Sequence, residues 1–399
     1  MIPYGKHNIN EQDIDAVVDV LQHHFLTQGN KVPEFERAIC TYTGAKYCTA
    51  VNSGTSGLHV ACLALGIGEG DYVWTVPNTF AASANCALYC LAQVDFVDID
   101  PSTRNICPIK LEEKLLLAQQ VGALPKAIVV VHFAGDSCDM QTIAALCRPL
   151  NIAIIEDAAH ALGANYVPKL NVTQSCQTTE LSNPSNIKVG NCAYSDLAVF
   201  SFHPVKSITT AEGGAIVCNN PALHDACQLY AKHGITRDSE KLVGDIHGPW
   251  YYQQLVLGYN YRLSDLQAAL GLSQLKRIDE FVTQRRASAK RYFEGLANLP
   301  LKLPSIGSLA NSSWHLFMIE LTHHDRKTIY HKLHNAGIGV NVHYIPVHCH
   351  PYYESLGFMP NDFPNALKFY QNALTLPLYV GLTESEQDKV IQVLRDLLQ

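Results

Sequence analysis

Short apolar runs and amphipathic stretches of helical spacing follow one another along the first half of the chain. Apolar side chains at Ile14, Val18 and Leu21 lie on one face of a helix predicted from Asn10, and a second short helix is predicted to begin at Pro33. The predicted strands that follow cover 49–51, 72–76, 94–99, 127–132, 152–155, 199–202 and 215–217, with helices at 56–65, 81–91 and 140–150. This succession predicts an α/β fold with a mainly parallel sheet between layers of helices.

The chain is long enough for two domains. At 399 residues it exceeds one ordinary core, so we expect a large domain of residues 1–262 and a smaller one of residues 263–399. Ser264 and Gln267 form a capping pair that begins a long helical stretch linking the two domains. The small α/β domain is predicted to contain strands at 314–321 and 339–344 and a helix at 328–336.

Charge and composition disfavour several classes of partner. The formal net charge is −7 and the cationic side chains are dispersed, so we expect neither nucleic acid nor a membrane as a partner. No apolar run is long enough to span a bilayer, and the N-terminus lacks the apolar core of a signal peptide. The 13 scattered cysteines are typical of reduced thiols in a cytoplasmic protein. The triplet His348, Cys349 and His350 lacks a second ligand pair, so no metal site is expected.

Two motifs near the middle of the chain carry candidate chemistry. E-D-A-A-H places Asp157 at the end of a predicted strand, and F-S-F-H-P-V-K places Ser201 and Lys206 between two more strands. A serine there can bind a phosphate, an aspartate can pair with a protonated pyridine, and a lysine can form a Schiff base with an aldehyde. Together these three residues describe a socket for pyridoxal phosphate. They predict an enzyme that acts on amines.

The segment N-S-G-T-S-G follows a predicted strand and begins a helix. Gly54, Thr55 and Ser56 can hold a phosphate there, because free amides and hydroxyls lie at the positive end of the helix dipole. The structural alternative is an ordinary N-cap, and the same alternative applies to Asp157. Phe80, after the next strand, is either a core aromatic or a ring that stacks on the cofactor.

Taken together, these motifs resemble those of the DegT/DnrJ/EryC1/StrS nucleotide-sugar aminotransferases over nearly the whole chain. The motifs that carry the resemblance are N-S-G-T-S-G (52–57), E-D-A-A-H-A-L-G-A (156–164), S-F-H-P-V-K-S-I-T-T-A-E-G-G-A (201–215) and G-Y-N-Y-R-L-S-D-L-Q-A-A-L-G (258–271). The resemblance implies a fold type I pyridoxal phosphate-dependent transferase. It would have a mainly parallel seven-stranded sheet between helices and a small C-terminal α/β domain.

The resemblance also implies roles for single residues. Lys206 would form the Schiff base and then move the proton, with Asp157 beside the pyridine nitrogen and His160 near the phenolic oxygen. The residues implied to bind the cofactor phosphate are Gly54, Thr55, Ser56 and Ser201. Phe80 would stack on the ring. Asn260 would reach the phosphate from a second subunit, which implies a homodimer with shared active sites.

Within the family, L-T-Q-G (26–29), F-H-P-V-K-S-I-T-T-A-E-G-G (202–214) and V-H-Y-I-P (342–346) are most similar to members of the pseudaminic acid pathway. That similarity implies amination of C4 of a UDP-linked 4-keto-6-deoxy N-acetyl hexose, with L-glutamate as the donor. The residues implied to line the sugar-nucleotide site are Tyr4, Phe25, Leu26, Thr27, His343, Tyr344 and Tyr353. The polar stretch 169–187 is predicted to be a surface excursion near the entrance.

Other functions stay open on the sequence. The substrate can be another nucleotide-linked 4-keto or 3-keto sugar. A pyridoxal phosphate-dependent sugar dehydratase would carry a histidine where this chain has Lys206, and a non-catalytic regulator would bind the cofactor or a nucleotide sugar without turnover. A nicotinamide dehydrogenase would need a G-x-G-x-x-G turn after its first strand, and that turn is absent there.

Overall fold

The computed structural model describes residues 1–166 and 187–398, and its largest sheet has seven strands. In chain order they are β1 (Tyr47–Val51), β2 (Tyr72–Thr75), β3 (Gln93–Phe96), β4 (Ala127–Val131), β5 (Ala153–Asp157), β6 (Leu197–Ser201) and β7 (Gly214–Cys218). Their order across the sheet is β1-β7-β6-β5-β4-β2-β3, and β7 alone of these seven runs antiparallel to its neighbours. The predicted mainly parallel sheet is confirmed.

Helices cover both faces of this sheet, so its strands are buried on both sides. The helices are α1 (Glu11–His23), α2 (Lys31–Thr43), α3 (Gly54–Ala64), α4 (Ala82–Tyr89), α5 (Pro108–Val121), α6 (Met140–Cys147), α7 (Pro221–Ala231), α8 (Asp265–Leu275), α9 (Ile278–Leu296), α10 (Arg326–Asn335), α11 (Pro351–Glu354), α12 (Pro364–Asn372) and α13 (Glu384–Leu398). On β4, Ile128 and Val130 pack into one core, while Ala127 and Val129 pack into the other. A strand with two buried faces is apolar throughout, which is why β4 was predictable.

The helical stretch predicted from Ser264 is two helices. Ser264 and Gln267 form the predicted capping box at the start of α8, which ends at Leu275. The next helix, α9, begins after Arg277. The Arg277 guanidinium bonds to the buried Asp13 carboxylate of α1, and this ion pair fixes the chain where the two helices meet.

A smaller antiparallel sheet contains β10 (Leu301–Lys302), β11 (Phe317–Leu321) and β12 (Ala373–Leu376), and α9, α10 and α13 share its core. A two-stranded ribbon pairs β8 (Ile235–Thr236) with β9 (Gln253–Gln254). The strand predicted at 339–344 is wrong, since only Asn341 pairs with this sheet, through a bridge to Thr375. The chain then leaves the small sheet, and the Val347 amide donates to the Pro77 carbonyl at 2.8 Å. This crossing brings residues 341–344 to the edge of the large sheet.

Three further expectations concern the surface and the thiols. Within the described ranges, every helix is too short or too polar to span a membrane. The 12 cysteines of those ranges are free thiols. Of the predicted excursion at 169–187, all but Ile187 lies outside the described residues.

Candidate active site

A cavity of about 470 Å³ opens beside the carboxyl ends of β5 and β6, where open α/β sheets bind ligands. Predicted site residues from six separate stretches of the chain line it. They are Tyr4, Gly54, Thr55, Phe80, Asp157, His160, Ser201, Lys206, His343 and Tyr344. The structure therefore brings most of the candidate residues together, although they are far apart in sequence.

Lys206 lies on the loop between the antiparallel strands β6 and β7. The Phe202 amide donates to the Gly213 carbonyl at 2.8 Å, and the Thr210 amide donates to the Phe202 carbonyl at 3.0 Å, so the base of the loop is closed. Burial lowers the pKa of the Lys206 amine to about 8, although the charge of Asp157 opposes the shift. A substantial fraction of the amine is therefore unprotonated in neutral to mildly alkaline solution.

Asp157 is the last residue of β5, and its carboxylate is held on both oxygens. The Ala159 amide donates to Oδ1 at 3.1 Å, and the Ser83 hydroxyl donates to Oδ2 at 2.6 Å. The side chain is only 6% exposed and lines the cavity, and within the described residues it forms no ion pair with a lysine or arginine. A buried carboxylate of this kind suits a cationic ligand group.

The neighbouring Glu156 points to the opposite face of the sheet, as strand geometry requires. Its carboxylate accepts from Tyr166 at 2.7 Å and pairs with His132 at 2.7 Å. Burial opposes protonation of His132, but the contacts with Cys138 and Glu156 outweigh it and raise the pKa of His132 to about 10. Glu156 thus stabilises the core, and Asp157 alone of the two carboxylates faces the cavity.

The start of α3, where the sequence predicts a phosphate site, lies at the cavity. Ser53 caps the helix by accepting from the Ser56 amide at 3.1 Å. A Cβ atom at Gly54 would lie 3.0 Å from the Ser201 Cβ, so the absence of a side chain lets β6 approach the helix terminus. Ser53, Gly54, Thr55 and Ser201 line the cavity. Ser56 is buried, with its hydroxyl 2.5 Å from that of Ser53, and lines an adjoining shallow cavity with Thr55.

Two neutral histidines lie on one wall of the cavity. The His160 Nε2 atom is 3.3 Å from the Tyr344 hydroxyl, and the His160 ring is 4.3 Å from the His315 ring. Burial, with Lys206 nearby, holds the pKa of both histidines well below the usual value. Burial also lowers the pKa of His343 to about 4, and its Nδ1 atom lies 2.8 Å from the Thr375 hydroxyl. All three rings stay uncharged at neutral pH and can hydrogen-bond a polar ligand.

Phe80 is 62% exposed at the mouth of the cavity, and its ring centroid is 6.2 Å from that of Tyr344. A core aromatic would be buried, so the core alternative from the sequence is wrong for this residue. The exposed ring is free to stack on a flat ligand.

Six predicted site residues do not line the cavity in this chain, namely Ser56, which lines the adjoining cavity, and five that lie farther away. Phe25, Leu26 and Thr27 are exposed, and the Leu26 carbonyl accepts from the Asp265 amide at the start of α8. Asn260 is also exposed, and its backbone bridges to Lys232. Tyr353 is buried against Phe96, and its hydroxyl donates to the Asn85 side chain at 2.6 Å.

Several residues of the site were not predicted from the sequence. Thr79, Glu212, His315 and Asn341 line the cavity, and Ser83 supports Asp157 from beneath it. The only sequence signal for His315 is a histidine just before the apolar run of β11, and Ser83 has none, since it reads as an ordinary helix residue. Their roles depend on contacts between distant segments.

The chain matches known proteins over nearly its whole length. Residues 7–395 match the model of the DegT/DnrJ/EryC1/StrS aminotransferase family. The chain is 39% identical over 404 residues to the UDP-4-amino-4,6-dideoxy-N-acetyl-beta-L-altrosamine transaminase of Campylobacter jejuni, and the match covers 100% of this chain and 98% of that protein.

Two solved structures share the whole fold. Helicobacter pylori PseC, an aminotransferase involved in the biosynthesis of pseudoaminic acid, has a TM-score of 0.86 at 30% identity, covering 100% of this chain and 99% of that one. Spr1654 from Streptococcus pneumoniae in its PMP form has a TM-score of 0.87 at 28% identity, with 100% and 99% covered. The PLP form of Spr1654 has a TM-score of 0.86.

Proposed function

The chain belongs to the DegT/DnrJ/EryC1/StrS aminotransferase family, and we propose that it transfers the amino group of L-glutamate to C4 of a UDP-linked 4-keto-6-deoxy N-acetyl hexose of the pseudaminic acid pathway. It is a pyridoxal phosphate-dependent aminotransferase. The observation that carries the proposal is the meeting of Lys206, Asp157 and the α3 terminus in one cavity.

The residues present fit pyridoxal phosphate. The start of α3 and Ser201 offer a dianion free amides and hydroxyls, and Gly54 leaves room for close approach. Asp157 offers a buried carboxylate to the ring nitrogen, Phe80 offers a ring face, and Lys206 offers an amine. When bound, the cofactor supplies an aldehyde that condenses with amines and a ring that withdraws electrons from the neighbouring carbon.

Lys206 then acts as the proton carrier. Because its amine has a lowered pKa, it can accept the α-proton of glutamate and later return a proton to the sugar carbon. A positioned general base of this kind contributes roughly 10²–10⁴-fold to the rate. Asp157 would keep the ring nitrogen of the bound cofactor protonated, and His160 would hydrogen-bond its ring oxygen. The two substrates use the same lysine in turn, so we expect ping-pong kinetics.

Identity to the Campylobacter jejuni transaminase and likeness to Helicobacter pylori PseC support the choice of sugar. Tyr4, His343 and Tyr344 lie on the wall of the cavity and are our candidates for sugar recognition. A site built around an acetamido group leaves buried polar groups unpaired when the sugar lacks it, at a cost of about 1–3 kcal/mol per group.

We further propose a homodimer in which each subunit completes the other's site. Apolar side chains that one chain leaves exposed support this assembly, among them Phe25 at 78%, Leu257 at 78% and Trp250 at 70%. Ile14, Val18 and Leu21, which share one face of α1, are exposed as well. In the proposed dimer Asn260 and residues 25–27 reach the partner's cavity.

The proposal also covers the division of the chain into domains and the cellular location of the protein. We propose a large domain of residues 1–262 and a small domain of residues 263–399, and the separate core around β11 and β12 supports the small domain. Leu263, Ala268 and Leu275 pack into the core of the large sheet, so α8 lies against the large domain. A cytoplasmic location is supported by the free thiols of the described residues and by the donor and sugar classes proposed.

A panel of 4-keto sugars tests the proposed substrate. Purified enzyme would be given L-glutamate with UDP-linked 4-keto-6-deoxy N-acetyl sugars of L and D configuration, and with dTDP-4-keto-6-deoxyglucose. We expect preferred amination of the L-configured UDP sugar. Preference for the dTDP sugar in direct competition would contradict the proposal.

A further inference from the structure

The Asp157 carboxylate is supported by two buried hydroxyl groups that are hydrogen-bonded in series. The Ser83 hydroxyl lies 2.6 Å from Asp157 Oδ2, and the Thr79 hydroxyl lies 2.7 Å from the Ser83 hydroxyl. Ser83 is fully buried on α4, while Thr79 is 3% exposed and lines the cavity. None of these contacts was predicted from the sequence.

The number of hydroxyl protons fixes which group donates in each of these two hydrogen bonds. An ionised carboxylate can only accept, so the single hydroxyl proton of Ser83 goes to Asp157. The Ser83 oxygen is then free to accept, and Thr79 must be its donor. The Ser83 hydroxyl oxygen also lies 3.3 Å from the Phe80 carbonyl oxygen. Ser83 cannot donate to this carbonyl, because its only hydroxyl proton is already donated to Asp157. Hydrogen bonds in series polarise one another, and a bond to an ionised acceptor is stronger than a neutral one.

The two oxygens of Asp157 are thus fixed from opposite sides, by the Ala159 amide and by Ser83. We propose that Ser83, supported by Thr79, is a positioning residue that fixes the plane of the Asp157 carboxylate toward the ring nitrogen of the cofactor. This inference rests on the proposed function of the cavity. Residues 79–83 then serve two parts of the cofactor, because Phe80 offers its face to the ring and Ser83 aims the carboxylate at the ring nitrogen.

The test compares four variants with the wild-type enzyme. Ser83→Ala removes the donor to Asp157, and Thr79→Val removes the donor to Ser83 while keeping the shape of the side chain. Thr79→Ser is a separate variant that keeps the hydroxyl and removes only the methyl group. Ser137→Ala is the matched control, since this buried serine donates to the Cys138 carbonyl at 2.9 Å and takes no part in the chain of bonds.

Two readouts other than turnover are measured. The first is the dissociation constant of pyridoxal phosphate from the apoprotein, which we expect Ser83→Ala to raise about tenfold and Thr79→Val to raise less. The second is the pH midpoint of the visible absorbance of the lysine-bound cofactor. A ring nitrogen that holds its proton less well withdraws fewer electrons, so the midpoint should move to higher pH in Ser83→Ala. Thr79→Ser and Ser137→Ala should match the wild type in both readouts.

A purely structural role for Ser83 would lower thermal stability and leave both readouts unchanged. The inference fails if folded Ser83→Ala and Thr79→Val stay within about twofold of the wild-type dissociation constant with an unmoved midpoint. Should Ser83→Ala not fold, Thr79→Val decides the question alone. A wild-type protein without visible absorbance on adding the cofactor would instead overturn the proposed function itself.

Discussion

The floor and the rim of the cavity differ in how far a single chain completes them. The floor, formed by Lys206, Asp157, Ser201 and residues 53–55, is closely packed and hydrogen-bonded within one chain. The rim, which we define as residues 25–27 and Asn260, is exposed, and these residues do not line this cavity in their own chain. The floor holds the groups that we propose perform the chemistry, and the rim holds residues that we propose enter a partner's site.

This difference indicates which parts of the site one chain supplies and which parts need a second chain. Burial within one chain lowers the pKa of the Lys206 amine and that of the His160 ring. The exposed apolar side chains, such as Phe25 and Leu257, are those that a second copy would cover. We therefore infer that one chain tunes the cofactor groups, while the dimer completes the site.

The largest effect should follow from removal of the floor amine. We expect Lys206→Ala to lower turnover by roughly 10³-fold or more, because no other positioned base replaces it. The visible absorbance of lysine-bound cofactor should vanish while thermal stability stays near that of the wild type. Lys126→Ala, which removes a surface ion pair with Asp71, is the matched control and should leave both unchanged. Normal absorbance in Lys206→Ala would show that another lysine holds the cofactor.

A second prediction concerns pH and tests whether the floor residues of one chain determine the pKa of the Lys206 amine. Only the neutral amine attacks the cofactor aldehyde, so the rate of cofactor capture by the apoprotein should rise about tenfold per pH unit and level off near pH 8. Asp157→Asn removes the charge that opposes the shift, so its midpoint should lie at lower pH. Stopped-flow absorbance gives both curves. A midpoint near 10.5, the usual value for lysine, would contradict the role of burial.

A smaller effect should separate sugar recognition from the floor chemistry. We expect Tyr344→Phe and His343→Asn to raise the KM for the sugar several-fold more than that for glutamate, because both side chains lie on the cavity wall, on a different stretch of the chain from Lys206. Tyr330→Phe on α10 is the control. Equal changes in both KM values would show that these residues act on the shared cofactor rather than on the sugar.

Much of the fold could be predicted because the parallel strands are buried on both faces, as β4 shows with alternating contacts to two cores. The Lys206 loop was predictable for the same reason, since it interrupts two apolar strands. Residues 339–344 have the composition of a strand, but the chain leaves the small sheet after Asn341, and no local pattern reports that crossing. The break between α8 and α9 depends on the ion pair between Arg277 and Asp13, which are distant in sequence.

The candidate site was predictable only where chemistry and local pattern coincide. Asp157 and Ser201 end strands, and Gly54 begins a helix, so each could be read from its neighbours. Ser83 and His315 could not, because their importance comes from contacts with Asp157 and His160 across the fold.

Mixed dimers test the division between floor and rim most directly. Lys206→Ala and Asn260→Ala chains, each with a different affinity tag, would be combined and the heterodimer isolated by both tags. One of its two sites would have an intact floor and an intact rim, so we expect up to about half of the wild-type activity although each parent is impaired. A verified heterodimer no more active than the Asn260→Ala parent, or an Asn260→Ala homodimer with wild-type activity, would contradict a site shared between two chains.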